Sequence, residues 1–390
     1  MLTKNYTLAD IFNASWEKYL TNHKASLHQH KVIRNIRRCK TPSMGYHIER
    51  CDNKECGHIE IKPNSCGDRH CNKCNSYKRY KWIAKQMKDL LPVTYYHVIF
   101  TMPHVLNNLS LCNKEEIYEI FFKSSFYTLN KFSSDKKYLG GKLGYIGVLH
   151  SWGQKLSYHP HIHYIVTGGG IRGKDYVSLP YKKEFLFPVM AMSKVMRGKF
   201  VELLKETYSE DRLKFPGKLA VYSSLDGFNI LCSEAFRAEW VIFSKPPILS
   251  SEKVLEYISR YTYRVAISNT RIKAVDEATV IFSYKDYKDT DKKGIAKIKE
   301  ETISCEQFIQ RFLWHILPEG FRKIRYGGIF SPGIKAASIE IIRKQLLEKI
   351  DKLLTKIDIW YNSFREYIEY CCPNCLVGHL SFEYGPQDSS

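Results

Sequence analysis

No run in this chain approaches about 18 consecutive uncharged apolar residues, so a membrane-spanning helix is not expected. The first residues, MLTKNYTLADIFNASW, lack the apolar core of a secretory signal, and a soluble, cytoplasmic protein is the expectation. No G-x-x-x-x-G-K-[ST] stretch occurs, so the phosphate-binding loop of a P-loop motor is absent. The stretch richest in histidine contains no H-E-x-x-H and no histidine followed two residues later by Asp. The usual zinc-hydrolase and facial-triad iron patterns are therefore absent. No internal repeat and no long low-complexity tract is evident. Acidic residues are scarce, 40 Asp and Glu against 60 Lys and Arg, leaving a formal charge of +20. That excess favours an anionic partner, nucleic acid first and an acidic membrane surface second.

What is present begins with bulk. The 390 residues, 44% of them apolar, can bury a sizeable core and divide into two or three domains. Twelve cysteines would signal disulfides in a small secreted chain, but in a reducing compartment their clustering points to metal. Cys39, Cys51, Cys56, Cys66, Cys71 and Cys74 lie close together, and Cys371, Cys372 and Cys375 form a second group near the end. Cys51-x4-Cys56 and Cys71-x2-Cys74 read as two short pairs, which could supply four soft ligands to one zinc. Metal would replace the apolar core that this Asn-, Gly- and Lys-rich stretch lacks. Cys39 and Cys66, with His47, His58 and His70 nearby, leave room for a second zinc. Cys372-x2-Cys375 resembles half a zinc knuckle without evident partners.

The hydrophobic pattern predicts helix over 1–38, over 77–91 and over 114–132, with strands at 93–103 and 142–154. "PHIHYIVT" at 160–167 reads as a strand stopped by Gly168, Gly169 and Gly170, paired as a hairpin with the strand before it. Further helices are expected at 193–208 and 251–266, a strand at 278–287, an exposed Lys/Asp loop at 285–299 and a long charged helix at 336–357. In a strand, His161 and His163 point to one face and could present two imidazoles to a divalent metal. Histidine pairs at this spacing are common by chance, and "HQH" at 28–30 is another. A turn around 155–160 would bring Gln154 across from His161 as a third ligand, with His150 as the rival. Two imidazoles and an amide leave the metal's charge uncompensated, which suits an anionic phosphate oxygen. On the helix expected at 251–266, Tyr257 and Tyr261 stand one turn apart. A tyrosine attacking a phosphodiester forms a covalent phosphotyrosine and stores the bond for rejoining.

Together these residues resemble the transposases of the family named after insertion sequence 91, the two-tyrosine branch of the HUH nucleases. The His–hydrophobic–His label matches His161-Ile162-His163, the tyrosine pair matches Tyr257 and Tyr261, and the zinc domain looks like "RCDNKECGHIEIKPNSCGDRHCNKC". "LHSWGQKLSYHPHIHYIVTGGG", "RYTYRVAISNTRI" and "FLWHILPEGFRKIRYGGIF" extend the likeness over roughly residues 10–330. The resemblance implies an α+β fold: a ferredoxin-like antiparallel sheet with the histidines on a central strand, preceded by a small helical, cysteine-rich zinc-binding domain. The chain is expected to divide into a DNA-recognition domain (1–91), a nuclease domain (92–330) and, beyond the reach of the resemblance, a C-terminal helix with a possible zinc knuckle (331–390). It implies Mg²⁺ or Mn²⁺ at His161, His163 and Gln154, the last lying seven positions before the first histidine. Zn²⁺ is implied at Cys39, Cys51, Cys56, Cys66, Cys71 and Cys74.

The implied activity is rolling-circle transposition through 5′-phosphotyrosine intermediates. Its substrates would be single-stranded or hairpin DNA at element ends and target DNA, with a host helicase and replication proteins as partners. The site of action would be the nucleoid of a prokaryote. Arg34, Arg37, Arg38, Lys78, Arg79 and Lys81 are the candidate phosphate contacts, with Tyr77, Tyr80 and Trp82 available for stacking. A replication initiator with the same chemistry and a non-catalytic zinc regulator are the competing readings. The regulator has no use for the tyrosines or for the histidine pair.

Overall fold

A computed structural model describes residues 5–74, 82–83, 85–86, 88–179, 186–248, 254, 264–347 and 371–384. The chain adopts the mixed α+β class expected from its sequence, built on antiparallel sheets. The N-terminal stretch forms two helices, α1 (Leu8–Asn22) and α2 (Leu27–Arg38). Each starts at a capping box, Thr7 with Asp10 and Ser26 with Gln29, so the second cap breaks what the pattern suggests is one helical stretch. Strands β1 (Tyr46–Cys51) and β2 (Ile59–Pro63) form a small hairpin.

The main sheet holds β3 (Tyr95–Thr101), β4 (Lys142–Trp152), β5 (Tyr158–Arg172), β6 (Asp175–Ser178), β7 (Ile242–Ser244) and β11 (Ile324–Gly328). Its order is β11-β4-β5-β3-β7, with β6 also on β5, so β5 is central. Short α3 (Asn107–Cys112) and long α4 (Lys114–Ser134) connect β3 to β4; α5 (Val189–Ser209) and α6 (Leu225–Arg237) follow β6. One sheet face, carrying Phe100, Tyr145, Ile162, Tyr164 and Val166, packs on these helices through Phe121, Phe122, Phe200 and Leu231. Burying each such side chain contributes roughly 1.5–3 kcal/mol, which makes this layer the main support of the sheet. The opposite face of β5 carries His161, His163 and Ile165.

β5 does not stop at its glycines; it runs through Gly168, Gly169 and Gly170 to Arg172. The three glycines let neighbouring strands approach closely. A Cβ at Gly170 would fall 1.9 Å from the Lys142 carbonyl oxygen and one at Gly169 2.4 Å from the Tyr176 hydroxyl. The Lys/Asp segment is also not a loop. It forms the hairpin of β9 (Thr279–Thr290) and β10 (Ala296–Ser304), with β8 (Ile272–Val275) alongside. Its charges alternate across the strands: Asp286 pairs with Lys299 at 2.9 Å and Asp289 with Lys297 at 2.8 Å. A cross-strand ladder of opposite charges stabilises paired strands whose hydrophobic content is low.

A second core joins α1 and α2 to β8–β10 and to α7 (Cys305–Trp314), through Phe12, Ile33, Phe282, Phe308 and Phe312. The expected C-terminal helix appears as α8 (Lys335–Gln345), which ends at its cap Leu346; the expected stretch from 348 on lies outside the described residues. At the end of the chain β12 (Leu380–Tyr384) pairs antiparallel with β1. No helix among the described residues is long and apolar enough to cross a membrane.

Candidate metal centres and nuclease site

The cysteines sort themselves differently from their order in the sequence. Cys39, Cys66, Cys71 and Cys74 bring their sulfur atoms within 4.8 Å of one another, and Cys51 and Cys56 do the same with Cys372 and Cys375. The expected pairing of Cys51/Cys56 with Cys71/Cys74 in one site is thus replaced by two four-thiol clusters. Register explains the second: β12 lies on β1 with Leu380 opposite Cys51, which brings the terminal C-x2-C turn over the first. A Cβ at Gly378 would stand 2.5 Å from Sγ of Cys51, so the turn closes only around a glycine.

Sulfur atoms of Cys66 and Cys74, of Cys51 and Cys375, and of Cys56 and Cys372 are each 3.7 Å apart. A tetrahedron with Zn–S of about 2.3 Å has an edge of about 3.8 Å, so both clusters have the dimensions of a zinc site. Backbone amides stabilise thiolates in both: Cys66 N–H points at Cys39 Sγ (3.5 Å) and Gly378 N–H at Cys375 Sγ (3.3 Å). The Gly378 and Val377 amides pull the Cys375 thiol down to about 6.

The histidine cluster sits on the face of β5 turned away from the large core. His150 of β4 lies directly across from His161, and Val148 across from His163. Nitrogen atoms of His150, His161 and His163 lie within 4.8 Å of one another. Gln154 does not come across from His161. A bulge between His150 and Trp152 shifts the register, Trp152 pairs with Tyr158, and the turn takes Gln154 beyond the pair. There its amide oxygen accepts from the Lys285 backbone N–H (3.3 Å) and its carbonyl from Arg271. His150, the alternative third ligand, occupies the place expected for Gln154.

Neighbours fix the orientation of the rings. His161 Nδ1–H donates to the His159 carbonyl at 2.7 Å, leaving Nε2 for the site. His163 Nδ1 is 2.9 Å from Nε2 of His97, a fully buried side chain on β3. His97 escaped the sequence reading, although a lone histidine in the apolar strand run "YYHVIF" is a polar group that burial obliges to find a partner. Trp152 stacks on His150 with ring centroids 4.7 Å apart. Burial lowers His161 to about 4 and His97 to about 3, and pushes His163 well below the usual histidine range. All are therefore neutral near pH 7, with lone pairs available to a metal. Imidazole nitrogens fit Mn²⁺ better than Mg²⁺, which favours oxygen ligands.

Tyr257 and Tyr261 lie outside the described residues, as do Lys78, Arg79 and Lys81. Val254, three positions before Tyr257, is buried in a cluster with Tyr95 and Ile165. Ile165 follows His163 by two residues and so shares its sheet face. Of the remaining candidate DNA contacts, Arg34 is exposed on α2. Arg37 pairs with Glu17 at 3.0 Å, and Arg38 bonds the backbone and side chain of Ser43.

Comparison with known proteins adds independent findings. Residues 144–338 match the family described as "Putative transposase", and residues 11–102 match a "Transposase zinc-binding domain". The chain is 39% identical over 322 residues to "Putative transposase y4qJ" of Sinorhizobium fredii (strain NBRC 101917 / NGR234), covering 82% of this chain and 79% of that protein. It is 25% identical over 309 residues to "Transposase for insertion sequence element IS801" of Pseudomonas savastanoi pv. phaseolicola, covering 77% and 70% respectively. No solved structure matches the chain.

Proposed function

We propose, from the premise that this chain belongs to the family of insertion-sequence transposases with an N-terminal zinc-binding domain, that it moves its element by rolling-circle transposition. The supporting observation is the cluster of His150, His161 and His163 on the central strand pair, with His161 and His163 kept neutral by burial and oriented through the His159 carbonyl and His97. These three side chains would hold Mn²⁺ or Mg²⁺. The bound ion would polarise the scissile phosphate and offset the charge that develops on it.

Tyr257 and Tyr261 supply the nucleophiles. One phenolate oxygen attacks the phosphorus and the P–O3′ bond breaks, leaving a 5′-phosphotyrosine and a free 3′ hydroxyl. The second tyrosine cleaves another strand in the same way, and each 3′ hydroxyl can then attack a phosphotyrosine to rejoin strands. In this reading residues 1–91 grip DNA, 92–330 cut it, and the tail after 331 is tied back to the first module through Cys372 and Cys375. The protein would work on single-stranded or hairpin DNA at element ends and at targets, in the bacterial cytoplasm at the nucleoid. A host helicase would supply the unwinding that the chain's own motifs do not provide.

The test is a denaturing gel after incubation with labelled single-stranded DNA from an element end and Mn²⁺. A covalent protein–DNA band is expected, weakened by Tyr257→Phe or Tyr261→Phe and absent from the double variant. His161→Ala should abolish the band while leaving the zinc content unchanged. A band that persists in the double tyrosine variant, or nicking that survives His161→Ala, would overturn the assignment.

A further inference from the structure

Beside the histidine cluster is a cavity of about 360 Å³, walled by Trp152, Phe312 and His315 and ringed by Arg69, Arg264 and Lys323. It shares a wall with the histidines, because the Trp152 ring that lines it is stacked on His150. Arg264 is near enough to act electrostatically on both His161 and His163.

The charge of this cavity is one-sided. His70 Nδ1–H donates to Asp68 (3.0 Å) while its Nε2 accepts from the Leu317 amide (3.1 Å), the pattern of a neutral ring. His315 Nε2–H donates to the Leu156 carbonyl (3.1 Å) and its Nδ1 faces the Ser151 hydroxyl (3.2 Å), so it too is neutral. Asp68, the partner of His70, also accepts a hydrogen bond from Asn35. No carboxylate lines the cavity, and among the described residues neither Lys323 nor Arg264 has an ion pair. Burial and the neighbouring Arg69 press the Lys323 ammonium down to about 8, a cation held where its charge is costly. Lys323, a buried cation without an ion pair among the described residues, makes a site that an arriving anion relieves.

We propose that this cavity is a subsite for a DNA backbone phosphate, seating the phosphodiester next along the strand from the one cut at the histidines. The claim that cutting occurs at the histidines rests on the function proposed above; the claim that the cavity takes a strand phosphate does not need the chemistry. Arg69, Arg264 and Lys323 would contact the non-bridging oxygens, and the Trp152 edge would lie against the attached sugar or base. A strand pinned there would be fixed in register relative to the histidine cluster.

The experiment measures binding of a short single strand of element-end sequence in EDTA, where no cleavage occurs, by fluorescence anisotropy across a salt series. A set of strands, each with one neutral methylphosphonate linkage, is compared on the wild type, Lys323→Met and Arg264→Gln. On the wild type, one linkage position should weaken binding about tenfold, the loss expected for a charge-assisted contact. Lys323→Met should weaken the natural strand to a similar extent, lower the salt slope by about 0.7 and remove the sensitivity at that position. Arg264→Gln alters an exposed side chain and tests the same prediction if Lys323→Met fails to fold. Wild-type affinity and slope in both variants would overturn the proposal. Competition by inorganic phosphate with no sensitive linkage would overturn it as well, leaving a plain anion site. Covalent capture with Mn²⁺ is scored separately. Capture without a sensitive linkage sinks the subsite alone, and a sensitive linkage without capture sinks the nuclease reading alone.

Discussion

The four-cysteine clusters and the histidine cluster each gather side chains within 4.8 Å, and they are prepared for opposite tasks. Four thiolates around a divalent zinc carry a net charge of −2 and fill the coordination sphere, which makes a closed, structural site. Three imidazoles, which bring no negative charge, would leave a divalent ion's +2 unbalanced and positions open, an arrangement that would suit a phosphate oxygen. The surroundings agree. Cys39, Cys71 and Cys74 are built into the core formed with α1, α2 and α7, whereas the histidines adjoin a cationic cavity. The two sulfur clusters also differ from each other: one draws its ligands from 36 consecutive residues, the other spans the chain from Cys51 to Cys375.

Removing one ligand from each cluster separates these roles. Cys71→Ser should have the largest effect. Apparent binding energies of structural zinc are about 10–16 kcal/mol, and here the site supports a core shared by α1, α2 and α7. Zinc content measured by atomic absorption should fall by one per chain, and the cooperative melt followed by circular dichroism should be lost or strongly lowered. A variant that keeps full zinc and a native melt would contradict the structural role.

Cys375→Ser should also remove one zinc, with a smaller consequence, because its cluster clasps β12 to β1 at the edge of the small sheet. Limited proteolysis should then cut the terminal segment first while the main melt survives. Global unfolding would mean that the clasp matters as much as the local cluster.

On the histidine side, His97→Phe keeps the buried ring volume but removes the partner of His163 Nδ1. Outer partners of metal-bound histidines typically contribute 10–100-fold in affinity, and a loss of about that size is expected in a Mn²⁺ titration. His97→Asn, which retains a hydrogen-bonding group, should recover part of it. Unchanged Mn²⁺ affinity in both would make His97 a packing residue.

The parts legible in the sequence were those encoded by local pattern. β-rich composition revealed β3, β4 and β5, and spacing placed His161 and His163 on one face. Cysteine density marked the metal modules. What could not be read was set by long-range register. The second sulfur cluster depends on β12 lying against β1, more than 300 residues away in sequence. That His150 and not Gln154 stands beside the histidine pair depends on a one-residue bulge, and a single slip of register turns every side chain to the other face. The glycine run misled for a related reason: a residue that often ends a strand also permits the tightest packing between strands.

The smallest expected effect concerns a histidine outside the metal cluster. His315 is buried between Ser151 and the Leu156 carbonyl, and burial holds it at about 3. Its unfolded-state value is near 6.5. Above about pH 6.5 neither state is protonated and the residue adds no pH dependence. Between about 6.5 and 3 the unfolded chain binds the proton and the folded chain does not, so stability falls as pH drops, by up to about 1.4 kcal/mol per unit. Urea midpoints of the zinc-loaded protein between pH 6.5 and 5 should decline for the wild type. They should decline less steeply for His315→Gln, whose amide can both donate to Leu156 and accept from Ser151. Equal slopes would show that His315 takes up its proton as readily in the fold as in the unfolded chain, so that the cavity it lines gains a further positive charge below about pH 6.5.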